Sequence, residues 1–173
     1  NLTQCLNQAT RFLAKYAIDE MAKKGSINDI KSMFKSSYKD DSFIHQWYVE
    51  FIHFMNSSGQ FHRELLQDKI YLNQNGKFVS NEASIDADHD EKLLQISTNS
   101  LFNYDFKGIF VIPEIADVLD SFYNGHAKKV RKEDIAKYID GQIKQIQNRG
   151  QTQDPSFISL ILEIRDLFMN DPS

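Results

Sequence analysis

One short run does most to limit how this chain folds: Lys69-Ile70-Tyr71-Leu72-Asn73-Gln74-Asn75-Gly76-Lys77-Phe78-Val79. It reads as a β-hairpin in a chain whose remaining apolar residues repeat at helical spacing. Asn75-Gly76 is the strongest turn signal present, because a type I′ turn needs positive φ at both central residues and Asn and Gly adopt it most readily. The flanks, Ile70-Tyr71-Leu72 and Phe78-Val79, are apolar and β-favouring. The expected fold is therefore mainly α, with one small hairpin at about residues 69–80. Ile109-Phe110-Val111-Ile112 reads either as one further short strand or as extended chain leading into Pro113.

Helical periodicity accounts for most of the rest. Over residues 2–24, Leu2, Leu6, Ala9, Phe12, Leu13, Tyr16, Ala17 and Met21 form one apolar face, closed by Lys23-Lys24 and Gly25. Ser26 is placed to cap a short helix carrying Ile27, Ile30, Met33 and Phe34. Asp40-Asp41-Ser42 starts the most apolar helix, residues 43–55, with the stripe Ile44, Trp47, Tyr48, Phe51, Ile52, Met55. Phe43 and Phe54 lie off that stripe, which predicts burial on two sides. Asn56-Ser57-Ser58-Gly59 ends it, and a helical stretch follows at 60–67. Pro113 suits the first turn of a helix carrying Ile115, Val118, Leu119 and Phe122, closed by Asn124-Gly125. Residues 129–147 are amphipathic through Val130, Ile135, Tyr138, Ile139, Gln142, Ile143 and Ile146. After a loop, residues 156–169 make a last helix with Phe157, Leu160, Ile161, Ile164, Leu167 and Phe168 inward.

The 173 residues and 41% hydrophobic content suit a packed globule, read here as a single helical module over 1–173 that leaves a subdivision near 80–90 open. A net charge of −4 lacks the basic footprint of a nucleic-acid binder. No apolar run approaches the 18 residues or so of a membrane-spanning helix. The single cysteine, Cys5, has no intramolecular disulfide partner and fits a reducing, cytoplasmic setting. The first residue is Asn1 rather than Met, and helix-like sequence begins at once, so the chain reads as a piece of a longer protein.

The patterns that could carry chemistry are few. Asp86-x-Asp88-x-Asp90 resembles the opening of a calcium-binding EF-hand loop, but Glu91 stands where the sharp turn needs Gly and Ser97 where a bidentate Glu is needed. It reads instead as a solvated acidic loop leading into a helix N-terminus. His45, His53, His62, His89 and His126 include no pair at zinc spacing; His45 and His53 sit about two turns apart on one helix. Cys5, beside Leu6, reads as a small core filler. No glycine-rich phosphate loop is present, and the basic run Lys128-Lys129-x-Arg131-Lys132 reads as a solvated helix start. No cofactor is expected. If the chain were an enzyme, Asp86, Asp88, His89 and His126 would be the candidate groups.

The order of the segments suggests a family. Trp47-Tyr48-Val49-Glu50-Phe51-Ile52-His53-Phe54, then Leu65-Leu66, then Ile70-Tyr71-Leu72-Asn73-Gln74-Asn75-Gly76-Lys77-Phe78, then Ile85-Asp86 and Leu93-Leu94 resemble the region after the ATPase domain in large bacterial sacsin-like proteins. That ATPase belongs to the GHKL group, shared with gyrase, histidine kinases and the ninety-kilodalton heat-shock chaperone. The family hairpin reads Pro-Asn-Gln-x-Gly-x-Phe; here Leu72 stands at the Pro position. The resemblance spans roughly residues 44–170. It implies a non-catalytic structural or interaction module of a chaperone-like or defence-associated protein, partnered by other domains of the same polypeptide or by another protein. It also implies that Asn73, Gln74, Asn75 and Gly76 form the turn rather than contact a ligand. The competing expectation is a stand-alone helical adaptor or regulator derived from a phage or mobile element.

Overall fold

The computed structural model describes residues 2–34, 40–102 and 104–169. The side chains of Leu2, Cys5 and Leu6 lie outside that description. The fold is mainly α-helical with two small two-stranded sheets. In chain order the elements are α1 (Leu2–Lys24), a 3-10 turn (Asp29–Met33), α2 (Asp41–Ser58), α3 (His62–Gln67), β1 (Tyr71–Leu72), β2 (Phe78–Val79) and β3 (Ile85–Asp86). There follow α4 (Glu91–Ser97), α5 (Phe106–Ile109), a 3-10 turn (Pro113–Ile115), α6 (Ala116–Phe122), β4 (Lys129–Val130), α7 (Lys132–Asn148) and α8 (Pro155–Met169). Two compact units emerge: Asn1–Ile85 with Gly108–Lys128, and Asp86–Lys107 with Lys129–Ser173.

The first unit is built around the hairpin. β1 and β2 pair antiparallel, Tyr71 opposite Val79 and Leu72 opposite Phe78. On the β2 side, Phe78 N donates to Gly25 O (2.8 Å) and Ile27 N to Gly76 O (3.0 Å). On the β1 side, Ile112 N donates to Leu72 O and Gln74 N to Phe110 O, both 2.9 Å. Ser84 then pairs with the same extended segment, Val111 N donating to Ser84 O (3.0 Å). Five short stretches thus lie side by side in the order 25–27, 77–79, 71–74, 109–112 and 84. The 25–27 and 84 edges are too short to announce themselves, and together the five stretches pair backbone groups that burial would otherwise strand.

α2 covers this platform. Asp40 caps it, accepting from Ser42 N (2.9 Å) and Phe43 N (3.2 Å), and Gly59 ends it in the left-handed conformation at φ 65°. Those bonds, with the Ser42 hydroxyl foremost, hold the Asp40 carboxyl below the usual carboxylate range. Ile44, Tyr48, Ile52 and Met55 point into the core. The Tyr48 hydroxyl donates to Ile70 O and accepts from Leu72 N, both at 2.7 Å, which pins the helix to β1. Trp47 stacks on Phe51 (5.4 Å, 7°) and meets the edge of Phe34 (5.1 Å). Burial on two sides does not occur: Phe43 and Phe54 are 40% and 41% exposed.

α1 departs further from expectation. Its buried residues are Ala14, Ala17, Ile18 and Met21, while Phe12, Leu13 and Tyr16 are 73%, 65% and 53% exposed. The helix carries two apolar faces. The one that packs shares Ala17 and Met21 with the expected stripe and adds Ala14 and Ile18, so spacing alone places the inner face only in part.

In the second unit Leu94, Ile96, Ile135, Ile139, Phe157 and Leu160 are buried on α4, α7 and α8. Tyr138 of α7 gathers Phe102 (6.2 Å), Tyr104 (5.6 Å) and Phe106 (5.4 Å). Gln95 and Asn99 donate to the carboxylate of Glu163 on α8 (3.1 and 3.4 Å). Of the six α8 residues expected inward, Phe157 and Leu160 are buried, whereas Ile161 and Phe168 are 39% and 49% exposed. β3 pairs with β4; Ile85 N donates to Lys128 O within the first unit, and Ala87 N to Val130 O within the second.

Candidate functional site

The turn Asn73–Gly76 is the first place to look for a ligand contact. It is a three-residue connection rather than the expected two-residue type I′ turn. Gly76 N donates to Asn73 O (2.9 Å), and Gly76 has φ 75° while Asn75 does not have positive φ. That combination is a type I turn followed by a glycine bulge. The cause is Asn73, only 3% exposed. Its Oδ1 accepts from Asn75 N (3.1 Å) and Lys77 N (2.8 Å), and its Nδ2 donates to Gly108 O (2.7 Å). An Asn side chain standing in for a backbone carbonyl favours this turn over its mirror image. Asn73 and Gly76 are thus fully engaged in the fold. Gln74 Nε2 is buried and makes no hydrogen bond.

The acidic loop is the second place. Asp86 Oδ1 accepts from His89 N (3.0 Å), and its Oδ2 lies 3.2 Å from His89 Nδ1. Asp88 Oδ2 accepts from Lys132 N (3.1 Å) at the start of α7. Asp90 caps α4, accepting from Leu93 N (3.0 Å). His89 takes φ 42° and its ring also lies 3.7 Å from Glu91. Each carboxylate satisfies a backbone N–H at a turn or helix start, a folding role. Among the described residues no group of three or more His, Cys, Asp and Glu is placed to hold a metal ion. His126 belongs to the first unit, and Asp86, Asp88 and His89 to the second.

The other histidines also have local partners. His45 Nε2 lies 3.1 Å from Glu114 Oε1, and His53 Nε2 lies 2.9 Å from Glu114 O and 3.8 Å from Asp117. Two turns of α2 thereby grip the start of the 113–122 segment. The ring of His62 tilts over Phe122 at 5.0 Å, beside a groove of about 200 Å³ rimmed by Asn56, His62 and Asn124. A second groove of about 260 Å³ is lined by Lys15, Asp19, Arg63, Glu64 and Asp68. Burial first, then repulsion from Glu64 and Asp19, raises the Asp68 carboxyl above its ordinary value.

The features left without a folding role are apolar. On α1, Phe12, Leu13 and Tyr16 are uncovered; on α8, Ile158, Ile161, Leu162, Phe168 and Met169 are 48%, 39%, 43%, 49% and 76% exposed. Phe12, Leu13 and Tyr16 of α1 and Ile161 and Phe168 of α8 were expected in the core, whereas Ile158, Leu162 and Met169 lay outside the expected inner face. For α8 a partial signal existed: nine of the thirteen residues 157–169 are apolar, more than one inner face needs. Among the described residues no helix is long and apolar enough to cross a membrane. No protein family, curated protein or solved structure matches the chain.

Proposed function

We propose that this chain is a non-catalytic structural and interaction module of a larger sacsin-like, ATPase-bearing protein, chaperone-like or defence-associated, acting in the cytoplasm. It would bind other domains of its own polypeptide or a protein partner. The observation that carries this reading is the pair of uncovered apolar helix faces, on α1 and α8. Contiguous apolar surface of this kind commonly marks an interaction site. Of the groups an enzyme reading would use, Asp86 and Asp88 accept from backbone N–H groups and His89 lies against Asp86, while His126 belongs to the other unit. The link to the sacsin-like family rests on the sequence pattern around Asn73-Gln74-x-Gly76, and an ATPase part would lie outside these residues.

The test is the reading frame around the chain, followed by nucleotide binding on the longest protein it encodes and on the 173 residues alone. The proposal expects a GHKL ATPase domain in the same frame and ATP binding by the longer protein only. ATP binding by the 173 residues alone, or a frame without that domain, overturns it.

A further inference from the structure

The chain holds two Asn-Gly pairs, Asn75-Gly76 and Asn124-Gly125, both in the first unit, and the fold secures them differently. We infer that Asn124 is a site of spontaneous modification in the folded protein, its side-chain amide passing through a cyclic imide to aspartate and isoaspartate, while the fold protects Asn75 from the same reaction. This goes beyond the interaction reading and does not depend on it.

The chemistry is that of an Asn followed by Gly. The backbone nitrogen of the Gly gives up its proton and attacks Cγ of the Asn. The new C–N bond closes a five-membered imide, and the side-chain nitrogen leaves as ammonia. Water then adds to one of the two imide carbonyls. Opening at the side-chain carbonyl leaves an ordinary Asp; opening at the backbone carbonyl leaves isoaspartate, with the chain running through the former side chain. Gly favours the attack because no Cβ crowds its nitrogen and its backbone turns freely.

Both Gly nitrogens are hydrogen-bonded in the fold, so the reaction waits for an opening, and the extent of that opening sets the rate. Gly76 N donates to Asn73 O (2.9 Å), Gly76 O accepts from Ile27 N (3.0 Å), and Asn73 Oδ1 holds the N–H groups of Asn75 and Lys77. That peptide is bonded on both sides to the platform beneath α2, and freeing it takes the platform apart. Gly125 N donates to Asp120 O (2.8 Å) just beyond the end of the seven-residue α6. Asn124 is exposed, stands at the rim of the groove beside His62, and takes φ 52°, a left-handed conformation that carries a cost for a residue with a Cβ. Opening residues 121–125 relieves that strain and leaves Val118 and Leu119 buried.

The test follows the unaltered protein at neutral pH and body temperature over several weeks, with tryptic peptides mapped by mass spectrometry and isoaspartate located by fragmentation. Residues 108–128 form one tryptic peptide in which Asn124 is the only side-chain amide, so its conversion is read directly. A parallel sample in urea removes the fold. In the folded protein Asn124 should convert at least tenfold faster than Asn75, and in urea the two should convert at similar rates. A smaller ratio in the folded protein, Asn75 converting first, or an unchanged Asn124 overturns the inference. So does a tenfold difference that persists in urea, because it would belong to the local sequence and not to the fold.

Discussion

The turn at Asn73–Gly76 and the loop at Asp86–Asp90 are both short polar runs, and both look functional when read as sequence. Their difference is burial. Asn73 sits among apolar neighbours and holds three backbone partners through one amide. The acidic loop distributes its work over three carboxylates, each meeting one or two N–H groups; the Asp86 side chain is itself only 5% exposed, whereas Asp88 and Asp90 lie nearer solvent. A polar group that loses a partner in water recovers a hydrogen bond, and one that loses it in a core does not. The same residue chemistry should therefore weigh several-fold more in the turn than in the loop.

Substitutions sharpen this contrast. Asn73→Ala strands two N–H groups and a carbonyl, and urea unfolding should report a loss of about 3 kcal/mol. Tyr48→Phe deprives Ile70 O and Leu72 N of their shared partner beside the same turn; about 2 kcal/mol should be lost with little change in near-native helicity. In the loop, Asp90→Ala should cost about 1 kcal/mol, the ordinary value of a helix cap, measured by the same unfolding. If the loop variant matched Asn73→Ala, burial would not be the deciding variable.

Gln74→Met reverses the sign. It removes a buried amide nitrogen that has no partner, so thermal unfolding should rise slightly, by the equivalent of about 0.5 kcal/mol. The smallest effect concerns pH. The folded Asp68 carboxyl is raised above its unfolded value, so the folded state holds that proton more tightly. Its ionisation therefore removes stability as pH climbs from the unfolded value, near 3.9, through the raised one. Asp68→Asn should gain stability over the parent at pH 7 and show no gain at pH 3, in melting curves at the two values.

How much of this was legible follows from the same physics. α2 could be read closely at its cap Asp40, its breaker Gly59 and the buried positions Ile44, Tyr48, Ile52 and Met55, but not in the two-sided burial expected from Phe43 and Phe54. The hairpin was found from its flanks, but its turn type was not, because Asn73, two residues before the obvious Asn75-Gly76 signal, decides it through side-chain bonds. β3 and β4 were missed: Ile85-Asp86 and Lys129-Val130 become strands through pairings some forty residues apart, which no local pattern encodes. The Ser84 and Gly25–Ile27 edges were missed for the same reason. α1 was found as a helix and its inner face only in part, Ala17 and Met21 being buried but Phe12, Leu13 and Tyr16 not, since periodicity locates apolar stripes without ranking them. In the acidic loop the helix-starting role of Asp90 was readable from composition, while the burial of Asp86 and the N–H partners of Asp86 and Asp88 were not.

Native-state hydrogen exchange on the unaltered protein tests the central contrast in one experiment. The amides of Asn75 and Lys77, both bound by the Asn73 side chain, should exchange as slowly as that of Leu72, through global opening of their unit. The amide of Lys132, bound by the exposed Asp88, should exchange through local opening, at least tenfold faster than that of Ile139 in α7. Turn amides that exchange as fast as that of Lys132 would contradict the account, because the turn would then be a mobile surface feature rather than the buried pin of its unit.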